Sequence, residues 1–210
     1  MKTKQEEFWS GDFGKEYSDR NSWTIEEYDH FYKSEWGISR TKMNSEFIGH
    51  LPKDIKILEV GCNIGMQLRL LQQMGYINLY GIELQHYAVE RAKSLTKNIN
   101  IIQGSGFDIP FKNGYFDIVV SNGVLIHIAP NDHSKIMSEM IRCSNKYIWG
   151  FEYYAAEVTN INYRGNEGFL WKADFSKIFA EKFPELNEIK RENYKYTHND
   201  NQDVMYLLEK

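Results

Sequence analysis

The stretch Ile57-Leu58-Glu59-Val60-Gly61-Cys62-Asn63-Ile64-Gly65 decides the fold of this 210-residue chain. Its first four residues form a mainly apolar run, which is too short for a helix and typical of a buried parallel strand. Glycines stand at positions one and five of the turn that follows, where they let the backbone approach a ligand closely. The pattern predicts a strand that turns into a helix beneath a nucleoside.

The spacing of this turn excludes two phosphate-binding motifs. Met66 stands where a dinucleotide fingerprint has its third glycine or alanine, and no Gly-Lys-Ser/Thr follows as in a P-loop. Glu83 ends a second apolar strand, residues 79–82, and a carboxylate there can accept both ribose hydroxyl protons. These features favour a nucleoside without phosphates. The alternative is an ordinary strand-turn-helix with Glu83 exposed.

Strand and helix patterns alternate through the middle of the chain. We expect strands at 57–60, 79–82, 99–103, 116–121 and 147–151, and helices at 39–50, 64–74, 87–95 and 131–143, the last capped by Asn131 or Asp132. Such βαβ units imply a parallel sheet with helices on both faces, which binds ligands beyond the carboxyl ends of its strands. Two later strands, 188–198 and 203–208, predict an antiparallel hairpin at one edge. The fold class is α/β, with a single doubly wound, mainly parallel seven-stranded sheet.

We expect one domain over residues 1–210, because a chain of this length with 42% hydrophobic residues can bury one good core. Residues 1–50 crowd aromatic residues among acids and predict a helical N-terminal lid over the sheet. The expected cofactor-binding core spans residues 54–151, a substrate-side insertion spans 152–183, and the C-terminal hairpin spans 184–210.

The composition disfavours several classes of partner. A net charge of −4 without a basic run gives no attraction for nucleic acid. The first residues lack the apolar stretch of a signal peptide, and no run approaches the roughly 18 apolar residues that span a membrane. Two cysteines and six scattered histidines give neither a disulfide framework nor metal-ligand spacing. We expect a cytoplasmic protein without a metal; the oligomeric state is not readable.

Residues 56–149 resemble a class I S-adenosylmethionine-dependent methyltransferase, whose fold is Rossmann-like. Glu59, Gly61, Gly65, Glu83 and the run 104–111 stand at the motif positions of that family. The resemblance implies a methyltransferase with S-adenosylmethionine as its cofactor. It also implies cofactor contacts from Cys62, Asn63, Leu84, Ser105, Gly106, Phe107, Ser121, Asn122 and Gly123.

The chain departs from the family pattern at two positions. Asn63 replaces the middle glycine of the turn, and asparagine tolerates left-handed backbone better than most residues. Ser105 replaces an aspartate that accepts a hydrogen bond from the adenine amino group, so the charge that assists this bond is missing. Adenine contact through Phe107 or a backbone amide is the alternative.

The loop Ser121-Asn122-Gly123-Val124-Leu125-Ile126-His127 lies where the transferred methyl group should point. It lacks the Asn/Asp-Pro-Pro-aromatic motif of base N-methyltransferases, which removes a reason to expect a nucleic-acid substrate. Methyl transfer from a sulfonium mainly requires an aligned nucleophile and an acceptor for its proton. His127 is the candidate general base for a sugar hydroxyl, and a structural histidine is the alternative.

Three segments outside this core resemble methylases associated with pseudaminic acid biosynthesis. They are residues 7–21, Ser39-Arg40-Thr41 and Tyr163-Arg164-Gly165. The resemblance implies a sugar or nucleotide-linked sugar acceptor in carbohydrate biosynthesis, for a surface glycan of the nonulosonic acid type. The alternatives are a methyltransferase for another small metabolite, such as an amine or a phenol, and a non-catalytic S-adenosylmethionine-binding regulator.

Several residues outside the core motifs have two interpretations each. Trp9 and Tyr17 either cover the cofactor or pack as ordinary aromatic residues. Arg40 either pairs with the methionine carboxylate of the cofactor or is a solvated helix arginine. The aromatic and cationic side chains of the insertion either bind an acidic sugar or belong to a packed hairpin with solvated charges; they are Tyr153, Tyr163, Arg164 and Lys172.

Overall fold

The computed structural model describes residues 2–210 and contains one seven-stranded sheet flanked by helices. The strands are β1 (Lys56–Val60), β2 (Asn78–Glu83), β3 (Asn100–Gln103), β4 (Phe116–Asn122), β5 (Ser144–Tyr153), β6 (Thr159–Asn160), β7 (Trp171–Lys172), β8 (Asn187–Lys195) and β9 (Gln202–Glu209). The helices are α1 (Lys4–Ser10), α2 (Asp12–Arg20), α3 (Ile25–Trp36), α4 (Arg40–Ile48), α5 (Met66–Gln73), α6 (His86–Leu95), α7 (His133–Cys143) and α8 (Phe175–Lys182).

The strand order of the main sheet is β3-β2-β1-β4-β5-β9-β8. Strands β1 to β5 pair in parallel, and β9 pairs antiparallel with both β5 and β8. The predicted mainly parallel seven-stranded sheet is confirmed, and so is the hairpin. Its second strand inserts beside β5, so β8 forms the edge of the sheet.

The sheet has a hydrophobic core on each face, because side chains alternate along each strand. Leu58 and Val60 of β1 belong to one cluster, and Ile57 belongs to the other. All three side chains are buried, which explains why the run at residues 57–60 is apolar except at Glu59 rather than alternating.

The start of helix α7 differs from the prediction. A 3₁₀ turn, Pro130–Asp132, comes first, and the α-helix begins at His133. Asp132 occupies the N-cap position but makes no side-chain cap bond, because its backbone (φ −101°, ψ −6°) is not in the extended conformation of capping residues. The predicted N-cap position of Asp132 is therefore confirmed, but its side chain does not make the capping hydrogen bond.

The helical N-terminal segment divides into two parts by its packing. Helices α3 and α4 contribute Tyr32, Met43, Phe47 and Ile48 to the buried core on one face of the sheet. In α1 and α2 the buried residues are instead the small or polar Gln5, Gly14 and Ser18. The first pair of helices therefore lies over the sheet, whereas the second pair is part of its core.

The insertion after β5 is only partly a hairpin. Its ladder consists of β6 and β7, with two residues each, and α8 follows. Within residues 2–210, no helix is long and apolar enough to cross a bilayer. The same residues hold no cluster of three or more histidine, cysteine or acidic side chains suited to a metal ion.

Candidate functional site

A cavity lies at the carboxyl ends of β1, β2 and β4, with α1 and α2 as its roof. The predicted site residues that line it are Trp9, Tyr17, Glu59, Gly61, Cys62, Asn63, Glu83, Leu84, Ser105, Gly106, Phe107, Asn122, Gly123 and His127. The predicted residues that do not line it are Arg40, Gly65, Ser121, Tyr153, Tyr163, Arg164 and Lys172. The fold thus assembles most of the expected cofactor residues from four separate loops.

The turn after β1 requires its unusual residues. Gly61 has φ +68°, and a Cβ there would stand 2.6 Å from Cγ2 of Val124. Asn63 adopts a left-handed backbone with φ +46°, as its tolerance of that region allows. Gly65, with φ +78°, faces α6 and β3 rather than the cavity. Gly65 therefore shapes the turn and does not line the cavity.

Glu83 is held at the end of β2 by backbone amides. The N–H of Asn63 donates to its Oε2 over 2.9 Å, and the N–H of Gln85 donates to its Oε1 over 2.7 Å. Burial raises the pKa of this carboxyl, and the amides oppose the rise. Each oxygen keeps a free lone pair. The carboxylate can therefore accept two more hydrogen bonds from a ligand in the cavity.

Glu59 and Arg40 place a carboxyl group and a guanidinium group behind the turn. Glu59 is buried, and its Oε2 has no hydrogen-bond partner. Burial raises the pKa of its carboxyl well above the ordinary value, and the positive charge of Arg40 opposes this rise. The free oxygen of Glu59, at the wall of the cavity, suits a cationic or hydrogen-donating group of a ligand.

Arg40 is fully buried, so the solvated alternative is wrong. Its Nε donates to Oε1 of Gln67 and its Nη2 donates to Oδ1 of Asn122, both over 3.2 Å. Its guanidinium also lies 4.3 Å from the ring centroid of Phe151. Nη1 has no partner. Because Gln67 and Asn122 line the cavity and Arg40 does not, the guanidinium acts on the cavity through these two amides.

Hydrogen bonds fasten the N-terminal helices to the cavity. Ser18 Oγ donates to Oδ1 of Asn63 over 2.7 Å, and Ser105 Oγ donates to Oε1 of Glu6 over 2.6 Å. Nε2 of Gln85 donates to the carbonyl oxygens of Ser10 (3.0 Å) and Gly11 (2.8 Å). The roof is therefore attached to three separate loops at the sheet edge.

His127 closes the cavity near the roof. Its Nδ1 lies 2.7 Å from the carbonyl oxygen of Phe169. A carbonyl only accepts, so Nδ1 carries the proton and Nε2 of the neutral ring keeps its lone pair. Burial lowers the pKa of His127 to about 4, and the bond to Phe169 opposes this shift. The imidazole is neutral at physiological pH, with Nε2 available as an acceptor.

The roof and the insertion meet in an aromatic cluster at His127. The imidazole lies 4.5 Å from the ring of Trp9 and 5.0 Å from that of Tyr163, measured between centroids. Burial raises the pKa of the Tyr17 hydroxyl, and the neighbouring Tyr153 and Tyr163 raise it further. One aromatic ring from the roof and one from the insertion therefore pack against the histidine.

The two predicted cationic contacts lie elsewhere. Arg164 is exposed and has a left-handed backbone with φ +52°. Lys172 donates to Oδ1 of Asn201 over 2.5 Å. Neither side chain lines the cavity. Their predicted role at an acceptor site stays a prediction.

Several polar residues of the site were not predicted from the sequence, among them Glu6, Gln67 and Glu152. Glu6 and Gln67 line the cavity. Glu152 is buried behind the loop after β4, where Oε1 accepts from the N–H groups of Val124 and Leu125 over 3.2 Å. Burial raises its pKa to about 7, and these hydrogen bonds oppose the rise. Only Glu152 had a local signal, as an acid directly after an apolar strand.

Comparison with known proteins supports this assignment of the core. A family model described as a methyltransferase domain matches residues 58–146. The match includes the turn after β1, Glu83, Ser105 and His127. It excludes the roof helices and everything after residue 146, so it covers less than half of the chain.

Two curated relatives match parts of the sequence. An uncharacterised protein of Haemophilus influenzae is 28% identical over 101 residues, which is 45% of this chain and 40% of that protein. The sterol 24-C-methyltransferase of Candida albicans is 24% identical over 109 residues, which is 48% of this chain and 29% of that enzyme. The matched region thus spans less than half the length of either relative.

Among solved structures, a geranyl diphosphate methyltransferase in complex with GPP and sinefungin has a TM-score of 0.66 to this chain. The superposition covers 81% of this chain and 76% of that one, at 11% sequence identity. This likeness shows that the fold extends beyond the region that the family model matches.

Proposed function

We propose that this protein, which carries a class I methyltransferase domain with S-adenosylmethionine as its cofactor, methylates a hydroxyl of a sugar or nucleotide-linked sugar. The acceptor we propose belongs to surface-glycan biosynthesis of the nonulosonic acid type. The observation that carries the proposal is the neutral His127, with Nε2 free, in the same cavity as the carboxylate of Glu83. The proposed enzyme is cytoplasmic and acts on a small molecule, in line with its net charge of −4.

The polar atoms around the cavity fit S-adenosylmethionine. Glu83 would accept the ribose hydroxyl protons through its two free lone pairs. The unpartnered Oε2 of Glu59 suits the ammonium of the methionine part. The positive charge of Arg40, which is hydrogen-bonded to Gln67 and Asn122, would attract the methionine carboxylate. When bound, S-adenosylmethionine supplies an activated methyl group.

In this proposal His127 accepts the proton of the acceptor hydroxyl. The fixed Nδ1–H points at Phe169, so Nε2 is the nitrogen that receives the proton. With a pKa of about 4, the imidazole is a weak base. It therefore takes the proton late, when the oxygen has begun to bond to the methyl group and its hydrogen has become acidic.

Support for a sugar comes from the tyrosines near His127. Tyr17 lines the cavity, and Tyr163, which does not line it, lies 5.0 Å from the His127 ring; both combine flat apolar rings with hydroxyls that can donate to or accept from sugar hydroxyls. Trp9, whose Nε1 is buried without a partner, supplies another donor at the wall of the cavity. The same groups would also bind a phenol, so the acceptor class requires a direct test.

The test is a survey of acceptors with the purified protein. S-adenosylhomocysteine release would be measured with sugar nucleotides, nucleotide-linked nonulosonic acids, free acidic sugars, phenols and amines. We expect turnover with the sugars, and a product 14 mass units heavier than the acceptor, since one methyl group replaces one hydrogen. Turnover with phenols or amines alone would contradict the sugar proposal. Tight binding of S-adenosylmethionine with no turnover on any acceptor would favour a regulator.

A further inference from the structure

Glu6 of α1 reaches the nucleoside end of the cavity from outside the sheet. Its Oε1 accepts the hydroxyl proton of Ser105 over 2.6 Å, although 99 positions separate the two residues in sequence. Both side chains line the cavity. A carboxylate of the roof therefore stands beside the position where the family pattern has an aspartate and this chain has a serine.

The order of the strands locates the adenine of a bound nucleoside near this pair. Glu83, at the end of β2, is the proposed ribose acceptor, and β3 pairs with β2 on the side away from β1. The loop that follows β3 begins with Gly104, whose N–H donates to the Glu83 carbonyl over 2.9 Å, and continues with Ser105. Groups in this loop therefore lie beside the ribose acceptor, on the outer side of the sheet.

The hydrogen-bonding capacity of the pair lies mostly on Glu6. The Ser105 hydroxyl already donates its only proton to Glu6 and accepts from the N–H of Phe107 over 3.1 Å. Glu6 accepts that proton at Oε1 and the N–H of Thr3 at Oε2 over 2.8 Å. A carboxylate has about four lone-pair positions. Glu6 thus keeps free acceptor capacity on both oxygens.

The Glu6 carboxyl is also ionised at neutral pH. Burial acts to raise its pKa, but the hydrogen bonds from Ser105 and Thr3 outweigh that effect, and the pKa is lowered. An ionised acceptor binds an amino group about twice as strongly as a neutral acceptor does. The charge that position 105 lacks is therefore supplied by α1.

We infer, on the basis of the proposed function, that Glu6 accepts the hydrogen bond from the 6-amino group of the cofactor's adenine. The specificity for adenine then resides in the roof rather than in the loop after β3. Because Glu6 belongs to α1, adenine recognition requires the roof to be in place. Binding of the cofactor is then coupled to packing of the N-terminal helices over the cavity.

The test compares two ligands and two variants by calorimetry. S-adenosylhomocysteine carries the 6-amino group, and S-inosylhomocysteine has a carbonyl oxygen in its place. Glu6→Gln removes the charge but keeps a side chain that can cap α1, because glutamine also serves at the third position of a capping box. Glu7→Gln is the matched control, since Glu7 is the next residue of the same helix and is exposed.

We expect the wild-type protein to prefer S-adenosylhomocysteine by about tenfold or more, the effect of one hydrogen bond to a charged group. Glu6→Gln should reduce the affinity for S-adenosylhomocysteine by about the same factor. The variant should then prefer S-adenosylhomocysteine over S-inosylhomocysteine by less than threefold. Its amide can donate to the inosine oxygen. Glu7→Gln should keep the wild-type preference. In the double variant Glu6→Gln/Ser105→Asp, the aspartate should restore the preference for adenine.

Two results would overturn the inference. An unchanged preference in Glu6→Gln would show that adenine is recognised elsewhere. Equal losses for both ligands would show that Glu6 only fastens the roof. Both results leave the proposed function intact, because the wild-type protein still binds S-adenosylhomocysteine. Absence of binding by the wild-type protein would instead defeat the proposed function and this inference together.

Discussion

At Glu83, two backbone amides fix a half-buried carboxylate at the wall of the cavity, where its remaining lone pairs can accept from a ligand. Glu83→Gln should make the binding free energy of adenosine less favourable by about 1.5–3 kcal/mol, which is the contribution of hydrogen bonds to a charged group. Calorimetry with adenosine and 2′,3′-dideoxyadenosine separates ribose contact from distortion of the turn. Only the wild-type protein should distinguish the two ligands strongly. Equal discrimination by both proteins would remove the ribose role.

His127 offers a second test at the level of one residue. His127→Gln should lower turnover by about 10²- to 10⁴-fold, as expected for a lost general base, and leave cofactor affinity unchanged. His133→Gln is the control, because His133 is also buried and bonds a carbonyl oxygen, that of Ile128, but does not line the cavity. Turnover of His127→Gln within about threefold of wild type would make His127 structural.

The pH profile of turnover also tests the role of His127 as the general base. The neutral imidazole is the active form, and its pKa is lowered to about 4. Protonation of His127 therefore limits turnover only below about pH 5. Between pH 5 and pH 8, titration of this group should not change the turnover rate. Steady-state kinetics over pH 4–8 would check this. A rise in the rate through pH 6–7 that is absent from His127→Gln would contradict the lowered pKa.

Local sequence explains part of the site and misses contacts between distant segments. The turn after β1 and Glu83 follow from short patterns, because a strand, a tight turn and a helix leave few positions free to vary. Glu6 had no such signal, since its contact with Ser105 depends on how α1 lies on the sheet. For the same reason, the sequence did not indicate that Arg164 and Lys172 lie outside the lining of the cavity, because composition predicts the chemistry of a side chain but not where it points.

Among the helices, the contact between α1 and α2 depends on Gly14. A Cβ at this position would stand 1.9 Å from the backbone oxygen of Trp9, which cannot give way without moving a helix. Gly14→Ala should therefore shift the roof and weaken S-adenosylhomocysteine by at least about tenfold. Gly11→Ala is the control, because its Cβ would meet its nearest atom at 3.4 Å. Similar affinities for the two variants would show that the roof does not hold the cofactor.

The predictable elements are those with a strong hydrophobic period. Strands β1 to β5 and the helices between them lie within a few residues of their predicted positions. The 3₁₀ turn before α7 was not predicted, because Pro130 is compatible with either kind of helix start. The division of the N-terminal helices between roof and core was also missed, since aromatic residues suit both environments.

Asp203 of β9 should make the stability of the protein depend on pH. It is buried, accepts from the hydroxyl of Tyr196 over 3.2 Å, and has a pKa raised to about 8 by burial, which that bond opposes. The folded protein thus keeps a proton that the unfolded chain loses above about pH 4. The free energy of unfolding should fall as pH rises from 4 to 8, by at most about 1.4 kcal/mol per unit.

Asp203→Asn should remove this contribution. Urea unfolding at pH 5.5 and 7.5 would measure the two free energies of unfolding for each protein. We expect the difference between the two pH values to shrink in the variant by about 1–2 kcal/mol. Asp200→Asn, in the exposed turn of the same hairpin, should behave like the wild-type protein. An unchanged pH dependence in Asp203→Asn would show that Asp203 is ionised in the folded state.

For the whole molecule, stability and ligand binding depend on different parts of the N-terminal segment. Helices α3 and α4 bury four large apolar side chains in the core, each worth about 1.5–3 kcal/mol. Their sum is comparable with the roughly 5–15 kcal/mol that stabilises a typical domain. Helices α1 and α2 bury Gln5, Gly14 and Ser18, and they contact the rest of the protein through hydrogen bonds at the cavity and through partly exposed aromatic rings. Removal of α1 and α2 should therefore affect ligand binding, whereas removal of α3 and α4 as well should affect stability.

Removal of residues 2–21 should leave a protein that unfolds cooperatively and binds S-adenosylhomocysteine at least about tenfold more weakly, because the hydrogen bonds from Glu6 and Ser18 are lost. Removal of residues 2–50 should abolish cooperative unfolding, since the side chains of Met43, Phe47 and Ile48 leave their partners exposed. Thermal melting by circular dichroism and calorimetry would measure both outcomes. If the shorter truncation also failed to fold, the roof would be part of the core. If it bound the cofactor like the full chain, the sheet alone would hold the ligand, and α1 and α2 would serve the acceptor.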